Sequence, residues 1–163
     1  WGRLLRPMRI HLIAVGQRMP DWVTMAYQDF AKRLPNEYRI NLVELAAGKR
    51  GKNADIARAI ADEGKRMLDA LPRDCLVIAL DEHGHNWSTK DLAAQLSDWS
   101  QGGRDVALLI GGADGLAADV KQRADITWSL SKLTLPHALV RVVLAEQLYR
   151  AWSLMNNHPY HRA

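Results

Sequence analysis

Five short runs of apolar and β-branched residues alternate along the chain with longer segments whose apolar positions follow helical spacing. The runs are Arg9–Val15, Arg39–Leu45, Leu76–Leu80, Val106–Ile110 and Ile126–Leu130. This change between a period of two and a period of about 3.6 residues predicts five strands joined by helices. Because parallel neighbours need a crossover connection, we predict an α/β domain with a mostly parallel sheet of five to six strands and helices on both faces.

The segments between the strands carry helix start and stop signals. Pro20-Asp21 opens the first helix, Ser88-Thr-Lys-Asp91 is similar to a capping box, and Gly102-Gly103 closes the third helix. The predicted core-facing positions are Trp22, Met25, Ala26 and Phe30 in the first helix, Ile56, Ile60, Met67 and Leu71 in the second, and Leu92, Leu96 and Trp99 in the third. Residues 81–86 are expected to form a loop.

The last helix is predicted from about Pro136 to Met155 and is apolar over more than half of its circumference. One sheet face rarely covers that much apolar surface, so we expect a subunit interface there. Glu146 and Arg150 are spaced four residues apart on this helix, and we interpret them as a surface ion pair.

Composition places the chain among ordinary single-domain globular proteins. It has 163 residues, of which 48% are hydrophobic and 25% charged, which excludes disordered and fibrous classes. The longest uncharged apolar run is about seven residues, far below the ~20 needed to cross a bilayer.

Residues 1–7 lie before Met8 and are interpreted as a cloning remnant or a misassigned start, so we expect one domain over residues 8–163. A buried Cys75 and the lack of an export signal favour the cytoplasm.

A modest basic excess permits a polyanionic partner without requiring one. Lys and Arg number 22 and Asp and Glu 18, giving a net charge of +4. The loop Lys49-Arg50-Gly51-Lys52, together with Lys132, Arg141 and Arg150, would contact phosphates if these side chains share one face. The alternative is a solvated surface loop.

Two segments that follow predicted strands are candidates for ligand binding, because parallel sheets bind ligands beyond the carboxyl ends of their strands. Ile110-Gly-Gly-Ala-Asp-Gly115 is either a plain turn or a close backbone approach to a ligand, and it matches neither a dinucleotide fingerprint nor a Walker loop. Leu130-Ser-Lys-Leu-Thr-Leu-Pro-His137 places His137 in the first turn of the last helix, either as a functional or as a capping residue.

The tail Asn156-Asn-His-Pro-Tyr-His-Arg162 combines two histidines, a tyrosine and an arginine without an acidic residue. Rings of this kind stack on unpaired bases while arginine binds phosphates or base edges, which is typical of single-stranded RNA recognition. The alternative is a frayed polar terminus. Two histidines without a nearby Cys or carboxylate do not suggest a metal site.

Five segments together resemble one family: Ala46–Asn53, Leu108–Leu116, Leu130–His137, Arg141–Trp152 and Asn157–Arg162. The chain is similar to the RlmH family, the large-subunit ribosomal RNA pseudouridine N3-methyltransferases of the SPOUT superfamily, from Met8 to Arg162. The resemblance implies a C-terminal trefoil knot, which is otherwise very rare, and a homodimer. This chain departs from the family pattern at two places. Asp81–Trp87 carries two histidines, and Ala113-Asp114 differs from the usual residues, which leaves the role of Asp114 open.

The resemblance also implies the cofactor and its pocket. S-adenosyl-L-methionine would bind among backbone groups at the strand ends, with no metal ion. The implied cofactor-binding residues are Leu80, Gly111, Gly112, Leu130, Ser131, Lys132, Leu133, Thr134, Leu135 and Pro136.

The implied reaction is methyl transfer to N3 of a pseudouridine in the helix 69 loop of 23S ribosomal RNA, at its position 1915, on assembled 70S ribosomes. Candidate catalytic residues are His137, Arg141, Tyr160, His161 and Arg162. The implied homodimer would allow the tail to reach the pocket of the partner chain. Candidate RNA-binding residues are Lys49, Arg50, Lys52, Arg141, His158, Tyr160, His161 and Arg162. The alternatives are a SPOUT methyltransferase for another RNA and a non-catalytic ribosome assembly factor.

Overall fold

The computed structural model describes residues 8–51 and 55–162, with the backbone alone at Arg162. Residues 1–7, which the sequence assigns to a remnant or misassigned start, and the predicted RNA-binding residue Lys52 lie outside the described residues, as does the side chain of Arg162.

A five-stranded, wholly parallel sheet organises the chain. Its strands are β1 (Ile10–Val15), β2 (Ile40–Leu45), β3 (Leu76–Asn86), β4 (Val106–Ile110) and β5 (Ile126–Ser129). Their order is β2-β1-β4-β3-β5, so β1 and β4 lie inside the sheet. The prediction of an α/β fold with a parallel sheet is confirmed, with five strands in the described ranges.

Among the described residues, four helices connect the strands and a fifth follows β5. They are α1 (Asp21–Ala31), α2 (Ile56–Asp69), α3 (Thr89–Gly102), α4 (Ala118–Arg123) and α5 (His137–Met155), with 3₁₀ turns at Asn36–Tyr38 and Pro159–Arg162. The capping box of α3 is present, since Ser88 and Asp91 each accept a hydrogen bond from the other's backbone N–H. Gly103 ends α3 with a φ of 67°, as its glycine pair predicts.

Strand residues alternate between two cores, one on each face of the sheet. Ile10 and Leu12 of β1 belong to the core covered by α1, α3 and α5, whereas Ile13 and Val15 belong to the one covered by α2 and α4. Helices therefore lie on both faces, as predicted, and both faces of the inner strands are apolar.

The predicted buried face of α1 is wrong at Trp22 and Met25, whereas Phe30 does pack against the core. Trp22 and Met25 are 58% and 70% exposed, and the buried positions are Val23 and Tyr27. The reason is that α1 packs against α5 through a stripe spaced four residues apart, which turns the larger apolar residues to solvent. Ile56, also predicted to be buried, is 52% exposed because it is the first residue of α2.

The predicted loop at residues 81–86 is instead the second half of β3. Pairing with β5 breaks after Leu80 and resumes at His85, so the residues between them bulge out of the ladder. Gly84 allows this, because a Cβ there would lie 2.6 Å from the carbonyl carbon of Thr127. The sequence missed this strand because polar residues and a glycine form it, and both histidines of the segment are exposed.

The structure also tests the predicted burial of Cys75 and the prediction that no segment crosses a membrane. Cys75 is a fully buried core residue, and burial raises the pKa of its thiol. In residues 8–51 and 55–162, no helix has the length and apolar character required to cross a membrane.

Candidate active site

A cavity of about 610 Å³ lies at the carboxyl ends of β4 and β5, beside the break in the pairing of β3. It is the place where a parallel sheet binds its ligand, and its volume is in the range of small-molecule sites. Its lining residues come from three segments, which are Leu80–Glu82 where the pairing of β3 breaks, Ile110–Leu116 at the end of β4, and Trp128–Ser131 with Leu133–His137 at the end of β5, completed by Val140.

The turn after β4 forms one wall, and its glycines are required by the turn itself. The N–H of Gly115 donates to the carbonyl of Gly112 at 3.1 Å, and Gly115 has a φ of +85°. A Cβ on Gly111 would lie 2.7 Å from the carbonyl group of Gly115. Residues 111–115, here called the cofactor turn, are therefore a compact backbone loop whose polar groups are close to the cavity.

The segment after β5 forms the opposite wall. The Ser129 hydroxyl donates to the carbonyl of Ser131 at 2.8 Å, and the Ser131 hydroxyl accepts from the N–H of Leu133 at 2.9 Å. Thr134 Oγ1 donates to Glu82 at 3.3 Å, which links this wall to the bulge of β3. Local hydrogen bonds thus fix a loop that has no regular secondary structure.

At the end of the cavity, His137 begins α5, and Arg141 lies one turn further along the helix. Arg141 is 2% exposed; its guanidinium donates to the carboxylate of Glu44 on β2 and, at 2.7 Å, to the carbonyl of Gly16. The Nε atom of Arg141 and the hydroxyl of Tyr27 are buried without a hydrogen-bond partner among the described residues. Burial raises the pKa of Tyr27 to about 12; the Arg141 cation lowers it, and Glu44 raises it.

The predicted RNA-binding residue Arg50 is engaged inside the protein. Its guanidinium binds Glu63 of α2 at 2.5 Å and Asp114 of the cofactor turn at 2.7 Å. Glu63 is 3% exposed and also accepts the Gly48 N–H at 2.7 Å. Burial alone would raise the pKa of Glu63, but the hydrogen bonds from Arg50 and Gly48 hold it below the usual range. Lys49, in contrast, is exposed.

The tail packs against α5 and is not frayed. The hydroxyl of Tyr160 donates to Glu146 at 2.8 Å, and Arg150 lies over the Tyr160 ring, 4.9 Å from its centroid. Glu146 and Arg150 do form the predicted pair, at 3.0 Å, as part of this cluster. Burial, followed by the bond to Glu146, raises the pKa of Tyr160. His158 lies against the Trp152 ring, with centroids 5.4 Å apart.

Comparison with known proteins agrees with this arrangement. Residues 8–161 match the family described as "Predicted SPOUT methyltransferase". The chain belongs to the SPOUT methyltransferases.

Within this family, the chain is similar to proteins named ribosomal RNA large subunit methyltransferase H. It is 62% identical to the one from Thioalkalivibrio sulfidiphilus, over 95% of this chain and 99% of the relative. It is 57% identical to the one from Marinomonas sp., over 95% of this chain and all of the relative. The resemblance to the RlmH family found in the sequence is therefore confirmed.

A solved structure shows the same fold at low identity. It is that of "a probable methylase family protein" from Haemophilus influenzae, with a TM-score of 0.53 and 14% identity. The alignment covers 96% of this SPOUT chain and 71% of the other chain.

The cavity brings together most of the residues that the sequence assigns to the cofactor. Leu80, Gly111, Gly112, Leu130, Ser131, Leu133, Thr134, Leu135 and Pro136 all line it, whereas Lys132 does not. Sequence reasoning missed Asp81, Glu82 and Trp128. The two carboxylates directly follow the predicted end of β3, and that position could have indicated that they line the cavity. Trp128 gives no such signal, because its sequence context is that of an ordinary strand residue.

The cavity of this SPOUT protein fits a cofactor that is both apolar and positively charged. Leu80, Leu130, Leu133 and Leu135 give the lining its apolar part. Asp81, Glu82 and Asp114 place carboxylates on the lining, where they suit a sulfonium or ammonium group. In the part of the chain that the structure describes, no group of three or more His, Cys, Asp or Glu side chains could hold a metal ion.

The candidate catalytic residues fall into two separate groups. His137 lines the cavity and Arg141 lies one helical turn beyond it, but His161 contacts Ser153, sixteen residues along α5, or about 24 Å at the helical rise. Among the described residues, none beyond Val140 lines the cavity. The tail and the cavity of one chain are therefore not parts of the same site.

Proposed function

We propose that this protein methylates large-subunit ribosomal RNA with S-adenosyl-L-methionine, at N3 of a pseudouridine in the helix 69 loop. The observation that carries the proposal is the cavity at the strand ends of a SPOUT chain, walled by the cofactor turn and the loop after β5. The 62% identity to a protein named ribosomal RNA large subunit methyltransferase H supports the substrate class.

The walls of the cavity supply what the cofactor needs. S-adenosyl-L-methionine would bring an electrophilic methyl group on a sulfonium centre. Apolar side chains such as Leu80, Leu130 and Leu135 would enclose its adenine, and the backbone of the cofactor turn would bind its polar groups. The carboxylates of Asp81 and Glu82 would balance its positive charge.

The chain must also align the target base and accept a proton, because N3 of the pseudouridine carries a hydrogen that has to leave. His137 is the one histidine among the described residues that line the cavity. Arg141 has its charge paired with Glu44, so we assign it a positioning role: it holds the carbonyl of Gly16. A Cβ on Gly16 would lie 3.9 Å from Nε2 of His137, so the backbone that Arg141 holds is close to that ring.

A homodimer is part of the proposal, because the tail residues and the cavity lie apart in one chain. If Tyr160, His161 and Arg162 take part in catalysis, they act in the cavity of a partner chain. The partly exposed apolar residues of α5, including Leu139 and Val143, support a contact between copies. The trefoil knot implied by the resemblance also belongs to this proposal.

Assembled 70S ribosomes in the cytoplasm are the proposed setting. The described part of the chain has no RNA-binding domain besides the sheet and its helices. A small enzyme of this kind recognises a preformed RNA shape through a composite surface, to which exposed Lys49 and the tail would contribute.

The test is transfer of a labelled methyl group to 70S ribosomes purified from a strain that lacks the modification. Ribosomes with and without the pseudouridine are compared, and the modified nucleotide is mapped. Transfer that requires the pseudouridine supports the proposal. Saturable cofactor binding without transfer would assign the enzyme to another RNA, and absence of cofactor binding would leave the assembly-factor alternative.

A further inference from the structure

We infer that Arg50 is a positioning residue for the cofactor: its guanidinium fixes the cofactor turn in the shape that binds the ligand. The inference rests on the proposed function, since it concerns S-adenosyl-L-methionine binding. It assigns Arg50 a role different from the phosphate contact that its basic loop suggests, and it gives Asp114 a role.

The guanidinium joins three segments that are distant in sequence. Its Nη1 and Nη2 atoms donate to the two oxygens of Glu63 at 2.5 and 3.2 Å, and Nη1 also donates to the carbonyl of Gly48 at 3.1 Å. Its Nε atom donates to Asp114 at 2.7 Å. The loop after β2, helix α2 and the cofactor turn thus meet at one planar cation, whose fork geometry a lysine cannot reproduce.

The position of these contacts in the sheet explains why they control the turn. Because β1 lies between β2 and β4, Arg50 reaches from the loop after β2 to the turn after β4 across the end of β1, about 10 Å for two strand spacings. A Cβ on Gly112 would lie 3.1 Å from Val15 and 3.5 Å from Glu63. The turn is therefore packed against both the strand end and the carboxylate that Arg50 holds.

Burial makes this arrangement necessary. Glu63 is 3% exposed, so an ionised carboxylate there requires a paired cation. The donors of Arg50 are directed at protein acceptors, whereas the adjacent Lys49 is exposed and makes no hydrogen bond or ion pair with the described residues. Within this loop, Lys49 is therefore accessible to an external anion, whereas Arg50 holds the cofactor turn.

Calorimetric titration of the full-length protein with S-adenosyl-L-methionine tests the inference. Arg50→Lys keeps a cation near Glu63 but cannot also hold Asp114, so we expect a dissociation constant about tenfold higher, a typical coupling between neighbouring sites, with the fold retained. Asp114→Ala, which leaves the Glu63 pair intact, should have a similar effect. Lys65→Gln is the matched control, because Lys65 is an exposed charge on α2 that makes no hydrogen bond or ion pair with the described residues.

A double-mutant cycle separates positioning from direct contact, because Asp114 also lines the cavity. If Asp114 acts through Arg50, the Arg50→Lys/Asp114→Ala variant binds the cofactor no more weakly than the weaker single variant. Fully additive losses would show that Asp114 contacts the ligand directly and would overturn its assignment to the Arg50 arrangement. Hydrogen exchange of the amides at residues 111–115 should accelerate in Arg50→Lys and stay unchanged in Lys65→Gln.

Steady-state kinetics distinguishes the inference from the RNA-contact alternative. Arg50→Lys should raise KM for the cofactor and leave KM for ribosomes near the wild-type value, whereas Lys49→Gln should raise KM for ribosomes. An unchanged cofactor affinity in Arg50→Lys, with weaker ribosome binding, would overturn the inference while the proposed function stands. A wild-type protein that does not bind the cofactor would instead overturn the proposed function itself.

Discussion

The side-chain oxygen of Ser153 lies 2.8 Å from Nδ1 of His161, and it fixes the tautomer of that imidazole. The Ser153 hydroxyl donates its single proton to the carbonyl of His158 at 2.7 Å. It must therefore accept from His161, and it does so twice, from the backbone N–H at 3.1 Å and from Nδ1–H. In the neutral imidazole, the lone pair is consequently on Nε2, the atom that does not face Ser153.

Ser153→Ala should therefore impair catalysis through His161 if the tail acts as a base. Without its acceptor, the ring can adopt the other tautomer or rotate, and we expect kcat to fall by about tenfold or more, since a general base contributes about 10²–10⁴-fold. The pH dependence of kcat should shift, while cofactor affinity stays constant because Ser153 is distant from the cavity. Methyl transfer to ribosomes and calorimetry measure the two quantities.

His161→Ala supplies the control for this prediction. If Ser153 acts only through His161, the double variant should be no slower than His161→Ala alone. A Ser153→Ala enzyme with wild-type kcat and pH profile would remove Ser153 from the mechanism.

Tyr27→Phe should stabilise the protein. The Tyr27 hydroxyl is buried without a hydrogen-bond partner in the described residues, and an unsatisfied polar group of this kind costs about 1–3 kcal/mol. Removing it should raise the free energy of unfolding by about 1 kcal/mol, as measured by urea denaturation at neutral pH. Tyr38→Phe, at a half-buried tyrosine, controls for the loss of a hydroxyl group.

The difference in unfolding free energy between Tyr27→Phe and the wild type should also depend on pH. The pKa of Tyr27 is about 12 in the folded protein and 10.0 ordinarily, so the unfolded chain releases this proton first as pH rises. The contribution of the Tyr27 proton to the free energy of unfolding is complete below pH 10 and is lost between pH 10 and about 12. The stability advantage of Tyr27→Phe should therefore grow over this interval, and a constant advantage would contradict the assignment.

The end of β4 and the cofactor turn could be predicted because local chemistry determines them. A buried β-branched run followed by Gly111-Gly112 specifies a strand and a tight turn without help from the rest of the chain. The same holds for the capping box at Ser88, where both partners lie within three residues. Knowledge of which ligand the turn serves came only from the resemblance to a family.

What the sequence could not predict depends on contacts between distant segments. Trp22 has a larger apolar surface to bury than Val23, yet packing against α5 decides which of them is buried. From its basic loop, Arg50 is predicted to be a surface cation. Only the fold brings Glu63 and Asp114, which are thirteen and sixty-four residues away in sequence, into contact with it. The two halves of the candidate catalytic set likewise separate only when α5 is seen as one straight helix between them.

Arg141 and Glu44 should respond unequally to loss of their partner. Arg141 is 2% exposed and always charged, so Glu44→Ala leaves a buried cation without a counter-charge, at a cost of about 3–5 kcal/mol. Arg141→Met preserves volume and leaves only a carboxylate that is 35% exposed and can be hydrated, so we expect about 1–2 kcal/mol. Chemical denaturation of both variants measures the difference. Equal losses would mean that the pair contributes through packing and not through charge.

Acid should weaken the protein through protonation of Glu63. The pKa of Glu63 is lowered in the folded state, so the folded protein binds this proton less readily than the unfolded chain. Its contribution to stability is complete above the ordinary value of 4.5 and is lost as pH falls from there through the lower folded pKa. Glu63→Gln has no such proton to bind, and its unfolding free energy should fall less steeply over the same acid range. Urea denaturation of both proteins at a series of pH values measures the slopes, and parallel slopes would show that the ion pair with Arg50 does not persist in solution.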